Sequence, residues 1–311
     1  MTKVFIDGSA GTTGLQIRAR LAQRTDLTVL TLPEAQRKDP DARREAMNSA
    51  DVVFLCLPDA AATEAAGFVS NPATCVIDTS TAHRTSPDWV YGFAELGRRE
   101  AIAASKRIAN PGCHATGFIS VVYPLIAEGL LDSGALLSCF SLTGYSGGGK
   151  SMIADYEAAG RSELLSSPGI YGLGQSHKHI PEMVKVCGLA TAPIFCPVVD
   201  DYFKGMASTV PLHAAMLKGS PGPDAVREAL SDFYGGSALI SVAPAEECAA
   251  AGKLYGNALA GRDSLRIFVE GNDARITVTA LFDNLGKGAS GAAIQNMNLA
   301  LGLPEATGLV L

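Results

Sequence analysis

The sequence predicts an α/β protein built in two parts: an open parallel sheet with helices, then a second α+β domain with a mixed or mainly antiparallel sheet. Three observations carry that expectation. From residue 3 to 78, apolar runs of strand length alternate with helical patterns, as repeated βα units do. A strand, a glycine-rich turn and a helix start follow one another without a break at residues 3–22. Beyond residue 129 the pattern changes to strand-like stretches with short connections. At 311 residues and 47% hydrophobic content, the chain is long enough for both cores.

Residues 3–7 read as a short buried strand. Gly8-Ser9-Ala10-Gly11-Thr12-Thr13-Gly14 follows, and Leu15, Ala19 and Ala22 then fall on one helical face, flanked by Ile17 and Leu21. In that context Gly8 permits the tight turn, Gly11 lets backbone approach a pyrophosphate, and Gly14 lets helix and sheet pack closely. Phosphates would then sit on the helix N-terminus. The spacing is G-x-x-G-x-x-G rather than G-x-G-x-x-G, and a purely structural turn is the competing reading. A second strand is expected at 27–32 and a third at 51–57, where Val52-Val53-Phe54-Leu55 is continuous, as in a strand covered on both faces. A helix over 60–69 and a fourth strand over 74–78 complete the alternation, which argues for parallel pairing with right-handed crossovers. Ligands bind at the carboxyl edges of such sheets, so Leu57-Pro58 and Asp78-Thr79-Ser80-Thr81-Ala82-His83-Arg84 are candidate contacts. Glu34 lies about 20 residues past the glycine loop, where a carboxylate selecting NAD would stand. Arg37 and Lys38 are close enough to meet a 2′-phosphate instead, and spacing leaves that choice open.

Chemistry is expected around Asn110-Pro111-Gly112-Cys113-His114-Ala115-Thr116-Gly117. An apolar run ends at Ile108-Ala109, the chain turns at Pro111-Gly112, and the cysteine arrives where a long apolar helix over 116–128 begins. A thiol at a helix N-terminus meets unpaired N–H groups and the positive end of the dipole, both of which favour the thiolate. A buried cysteine acting as a small hydrophobe is the alternative. A strand over 135–143 is broken by Gly144-Tyr145-Ser146-Gly147-Gly148-Gly149-Lys150, either an anion cradle or cofactor-covering loop, or a solvated surface turn. A short helix over 151–159 follows.

Two of the five histidines, His177 and His179, sit two apart before Ile180-Pro181-Glu182. No third ligand of clear spacing supports a metal, so acid–base service to a cysteine nucleophile fits better; simple loop hydrogen bonding is the bland reading. Later strands are expected at 192–199, 206–216, 239–242, 265–270 and 274–282, with a helix at 224–234 and a hairpin turn at 271–273. Asp283-Asn284-Leu285-Gly286-Lys287-Gly288 then leads into a helix over 289–301, whose apolar face could return to the nucleotide domain.

Charge and cysteine usage exclude several classes. With 25 Lys+Arg against 31 Asp+Glu, a net charge of −6 and no basic block, no nucleic-acid partner is expected. Seven cysteines without a CxxC pair suggest reduced cytoplasmic thiols rather than a disulfide framework or a zinc knuckle. Residues 1–7 already read as strand, leaving no room for a secretory leader, and no apolar run suits a membrane span.

Together, Gly8 to Gly14, the Asn110 to Gly117 run, Ser146-Gly147-Gly148-Gly149-Lys150, His177-Lys178-His179-Ile180-Pro181-Glu182 and Asn284-Leu285-Gly286-Lys287-Gly288 resemble the N-acetyl-gamma-glutamyl-phosphate reductases, relatives of aspartate-semialdehyde dehydrogenase. The motifs occur in that family's order over nearly the whole chain, which looks like its shorter branch. The chain departs from the commoner pattern at Gly11-Thr12-Thr13-Gly14, at the Asp78 to Arg84 stretch, and at Lys150, a position often held by arginine. The resemblance implies a Rossmann-type NAD(P)-binding domain over 1–113, a catalytic and dimerisation domain over 114–285, and a C-terminal helix, 286–311, rejoining the first. It implies a cytoplasmic homodimer or homotetramer, with no metal, that reduces a small-molecule acyl phosphate with NADP(H). Other acyl phosphates, such as aspartyl phosphate or a carrier-linked analogue, and a non-catalytic nucleotide-binding protein are the alternatives. Cys113 would be the nucleophile and His177 the acid–base group. Gly8, Ala10, Gly11, Thr12, Thr13, Gly14, Gly147 and Asn284 would hold the cofactor. Asn110, Arg84, Lys150 and His179 would meet the substrate, with His179 also the reserve for His177.

Overall fold

A computed structural model describes all 311 residues, Met1 to Leu311, which cluster into two units. The first comprises Met1–Gly112 and Ala289–Leu309; the second comprises Cys113–Gly288 with Val310–Leu311.

In the first unit the expected βα alternation forms β1 (Thr2–Asp7), α1 (Thr12–Leu21), β2 (Leu27–Leu30), α2 (Pro40–Ser49), β3 (Val52–Leu55), α3 (Asp59–Ala66), β4 (Cys75–Asp78), β5 (Val90–Tyr91), α4 (Arg99–Ala104) and β6 (Arg107–Ala109). All pairings are parallel, in the order β2-β1-β3-β4-β6-β5. Side chains alternate between the sheet's faces. Val4, Ile6, Phe54 and Ile77 pack with Ile17, Leu21 and Ile102 in one cluster, while Phe5, Val53 and Val76 pack with Met47 and Ala65 in another. Every residue of β3 and β4 is buried, which is why Val52 to Leu55 reads as a continuous apolar run.

The rotational phase of α1 corrects the sequence reading. Leu15, Ala19 and Ala22 are exposed; Gly14, Ile17 and Leu21 are buried. The glycine loop sets this phase. A Cβ on Gly14 would stand 2.5 Å from the Gly8 carbonyl oxygen, so Gly14 must face the strand, and positions three and seven residues later follow it inward.

The second unit opens with α5 (Cys113–Ala127) and continues through β7 (Ser138–Gly144), α6 (Gly149–Glu157), β8 (Gly169–Ile170), α7 (Ile180–Cys187), β9 (Ile194–Asp200), β10 (Met206–His213), α8 (Pro223–Phe233), β11 (Ile240–Val242), α9 (Ala245–Ala251), β12 (Leu265–Asn272) and β13 (Arg275–Phe282). Its seven-stranded sheet runs β11-β12-β13-β10-β7-β9-β8 and is mixed, as expected, with parallel pairs only at β7–β9 and β11–β12. The β12–β13 hairpin extends further than its sequence suggests. Asn272 pairs with Arg275, so the turn is Asp273-Ala274, and Gly271 lies inside the strand. A Cβ on Gly117 would stand 2.2 Å from Ser208 Oγ, so that glycine lets α5 lie directly on β10. A π-helical turn, Gly286–Ser290, then leads into α10 (Gly291–Ala300), whose Ala293, Ile294 and Met297 join the Ile17 and Phe54 core of the first unit.

Candidate active site

In the first unit the carboxyl edge of β1 opens on a cavity of about 600 Å³, walled by Gly8, Ser9, Ala10, Arg18, the residues after β2, and Arg43. Gly8 has φ +84°, and a Cβ there would meet the Cys56 carbonyl oxygen at 2.2 Å, so only glycine fits. Gly11 is the N-cap of α1 and donates its N–H to Gly8 O at 3.0 Å; Thr12 and Thr13 begin the helix. Thr12 Oγ1 is buried without a hydrogen-bond partner. A bare backbone cradle, an orphaned hydroxyl and a helix N-terminus together suit a phosphate-bearing group.

The charges along the wall are arranged in pairs. Asp7 accepts from Arg43 Nε (3.1 Å) and Nη2 (2.7 Å), and Glu34 pairs with Arg37 at 2.7 Å. Lys38 also lines the cavity and is exposed. Farther along the same sheet edge, buried Arg84 donates to the carbonyls of Asn110 (2.9 Å) and Thr79 (3.0 Å). Asn110 is 1% exposed; its Nδ2 donates to Ala289 O, and its Oδ1 accepts from Asn296 Nδ2, both at 3.0 Å. These partners brace the strand end from which the chain runs on to Cys113.

In the second unit Cys113 is the first residue of α5 and is half-buried. Its Cβ packs closely on Gly288, where an added Cβ would stand only 2.9 Å away. His114 starts a buried polar line that sequence reading missed. Its Nδ1 meets Ser141 Oγ at 2.7 Å, Ser141 meets Ser208 Oγ at 2.7 Å, and its Nε2 meets the Tyr171 hydroxyl at 2.5 Å. His114 sits 5.4 Å from His177 and 5.7 Å from His179, ring centre to ring centre, so three histidines gather where two were expected. Burial first, then the charges of His177 and Lys178, lower the His114 pKa to about 3. Burial, then Lys178, lowers His177 to about 4. Tyr171 is pushed up by burial and by a charge on Cys113, which places the phenol within electrostatic reach of the thiol.

Both histidines are therefore neutral at pH 7. His177 Nδ1 accepts the main-chain N–H of His179 at 3.2 Å, so the neutral ring carries its proton on Nε2. His179 is buried, with Nε2 4.0 Å from Glu182 Oε1. No group of three His, Cys, Asp or Glu side chains has the geometry to hold a metal.

The remaining predicted residues lie around one turn of the second unit. Gly147 sits in the turn after β7; a Cβ there would stand 3.3 Å from Thr143 Oγ1 and 3.4 Å from Asn284 Nδ2. Asn284 is buried and spends its amide on Gly205 N–H (2.8 Å) and Ser146 Oγ (3.0 Å), which holds the turn in place. Lys150, in the first turn of α6, is exposed.

Two family patterns match the chain: the semialdehyde dehydrogenase NAD binding domain over residues 3–105 and the semialdehyde dehydrogenase dimerisation domain over 113–284. N-acetyl-gamma-glutamyl-phosphate reductase 2 of Pseudomonas putida is 46% identical over 98% of both chains. The N-acetyl-gamma-glutamyl-phosphate reductase of Brucella anthropi is 48% identical, covering 96% of this chain and 98% of its own. That of Burkholderia cenocepacia is 47% identical, covering 97% and 98%. Among solved structures, aspartate semialdehyde dehydrogenase II of Vibrio cholerae superposes with a TM-score of 0.72 over 97% of this chain and 98% of that one, at 16% identity. The Francisella tularensis enzyme does so with a TM-score of 0.71 over 96% and 99%, at 14% identity. At that identity the likeness is one of fold.

Proposed function

Because the chain belongs to the N-acetyl-gamma-glutamyl-phosphate reductase family, we propose that it reduces N-acetyl-gamma-glutamyl phosphate to N-acetylglutamate 5-semialdehyde with NADPH, through a thioester on Cys113, in arginine biosynthesis. The observation that carries this reading is a half-buried thiol at the first position of a 15-residue helix, followed by His114, whose ring lies 5.4 Å from His177 and 5.7 Å from His179.

Cys113 Sγ attacks the acyl carbonyl, the bond to phosphate breaks, and the thiol proton ends on the departing hydrogen phosphate. The acyl group is then a thioester, which accepts hydride where a carboxylate does not. When bound, the nicotinamide supplies that hydride. Collapse of the resulting alkoxide releases aldehyde and expels Cys113 as thiolate, and one proton taken up from solvent restores the thiol. Charge builds on the carbonyl oxygen at both stages, and the donors proposed to stabilise it are main-chain N–H groups of the first turn of α5 and the His177 Nε2–H. His177 thus serves as the proton-bearing partner, held in one tautomer by the His179 main chain. Arg84 and Lys150 are the cations proposed for the substrate's carboxylate and phosphate, and Asn110 positions the peptide leading to the cysteine.

Gly8, Ala10, Gly11, Thr12, Thr13 and Gly14 would hold the dinucleotide phosphates. The charges along the wall support a preference for NADPH. Asp7 pairs with Arg43 and Glu34 with Arg37. Arg18, Arg37, Lys38 and Arg43 outnumber those two acids along the wall, which suits a 2′-phosphate. The Glu34–Arg37 pair is largely exposed, and surface pairs of that kind yield readily to a better anion. A dimer built from the second unit and a reducing cytoplasm, which suits seven cysteines outside any disulfide, complete the reading.

The reverse assay tests it. N-acetylglutamate 5-semialdehyde with phosphate or arsenate should reduce NADP⁺ strongly and NAD⁺ weakly, and aspartate semialdehyde should be a poor substrate. Lys38→Ala should weaken NADPH binding by about 10-fold, read by fluorescence, and leave NADH binding nearly unchanged. NADP⁺ reduction that needs no phosphate, or a preference for another semialdehyde, contradicts the assignment.

A further inference from the structure

Strand β9 lies next to the edge of the second sheet, and β8 covers only one end of its outer side. Gly169 pairs with Val199 and Ile170 with Val198, and the Tyr171 N–H still donates to Pro197 O at 3.1 Å. Two residues further on, the same register would bring Leu173 opposite Phe195. The chain leaves the strand instead, through Gly172 at φ +63°. An edge abandoned there would leave the Phe195 N–H and C=O without a ladder partner.

Both groups are nonetheless paired, by one side chain. Gln175 Oε1 accepts the Phe195 N–H at 2.9 Å, and Gln175 Nε2 donates to the Phe195 carbonyl at 2.8 Å. A carboxamide carries the same donor and acceptor as a peptide unit, so Gln175 closes the ladder where residue 173 would have done. Its own N–H donates back to Gly172 O at 3.0 Å, which makes turn and clasp one unit. Gln175 does this at φ +54°, and Ser220 is the only other residue besides glycines with a positive φ. That backbone is unfavourable for a residue with a Cβ; it persists where the surroundings impose it, and such strain gathers at functional sites.

The clasp lies where the chemistry is proposed. Phe195 is buried, and its ring stands edge-on to His114 at 5.2 Å and to His177 at 5.1 Å, centre to centre. His177 follows Gln175 by two residues, on a stretch, Leu173 to Lys178, that is otherwise exposed. The Tyr171 phenol anchors one end of this stretch on His114, and buried His179 anchors the other. Between them the Gln175 amide ties it to the sheet.

We propose that Gln175 is a positioning residue: its amide takes the place of a strand pair on β9 and thereby fixes the His177 imidazole for turnover. The clasp stands on its own geometry; its bearing on turnover rests on the role given above to His177.

Glycine is the substitution that separates side chain from backbone, because it keeps the left-handed turn and removes only the amide. Gln175→Gly should keep the wild-type circular dichroism and NADPH affinity, speed hydrogen exchange across residues 172–179 by about 10-fold, and lose about 10- to 100-fold in kcat. In a His177→Ala background the same change should cost nothing further, since a residue that acts through another adds no second loss. Full additivity contradicts the positioning role, and so does wild-type kcat in Gln175→Gly. Unchanged exchange contradicts the clasp itself. If Gln175→Gly disturbs the fold, Gln175→Glu carries the test: it keeps the acceptor for the Phe195 N–H, loses the donor for the carbonyl, and should show the same changes. Full turnover in His177→Ala alone removes the catalytic role of His177, while the exchange measurement still decides the clasp.

Discussion

His114 ties the helix of Cys113 to the strands behind it, and it does so uncharged. Its two ring nitrogens are spent on Ser141 and Tyr171, and burial holds its pKa at about 3, with His177 at about 4. Histidines buried neutral cost stability when the solution turns acid. Above the unfolded value of 6.5 both states hold the rings neutral, and nothing changes with pH. Between 6.5 and the lowered native values the unfolded chain binds more protons, so stability falls as pH falls. For His114 the loss is on the order of 2 kcal/mol by pH 5. Urea midpoints at pH 7, 6 and 5 should therefore shift downward in the wild type and shift less in His114→Phe; identical shifts would contradict the neutral burial. Sequence reading found His177 and His179 because they stand two apart, but gave His114 no role. Its partners lie 27 and 57 residues away, on β7 and just after β8, and no local pattern announces contacts of that range.

At the scale of the element, α5 shows how one segment is held despite a breaker inside it. Pro124 lies within the helix and has no N–H for the Ser120 carbonyl four residues earlier. That carbonyl is buried, and the hydroxyl of Tyr234, at the end of α8, donates to it at 2.7 Å. Tyr234→Phe keeps the ring and removes the donor. It should lower stability by about 1–3 kcal/mol, seen as an earlier urea midpoint with an unchanged m-value, whereas an unshifted midpoint would show that the carbonyl does not depend on the phenol. Helix α1 makes a complementary point. Its existence was legible from the glycine loop, yet its buried face was not, because the Gly14 contact with Gly8 sets the phase and hydrophobicity does not: Leu15 is 47% exposed while Gly14 is buried.

For the molecule as a whole, the parallel sheet of the first unit and the mixed sheet of the second were both legible, since runs such as Val52 to Leu55 and the β12–β13 hairpin carry their pairing in their own composition. The small elements were not: β5 and β8 have two residues each and form only beside β6 and β9. All of the proposed chemistry converges on one acyl group carried by one sulfur. The direct measurement is the intact mass of the protein mixed with N-acetyl-gamma-glutamyl phosphate in the absence of cofactor, followed by peptide mapping and then addition of NADPH. A single N-acetylglutamyl adduct is expected on the Cys113 peptide, absent from Cys113→Ser, that NADPH discharges with one equivalent of aldehyde; an adduct elsewhere, or one that NADPH leaves in place, contradicts the thioester.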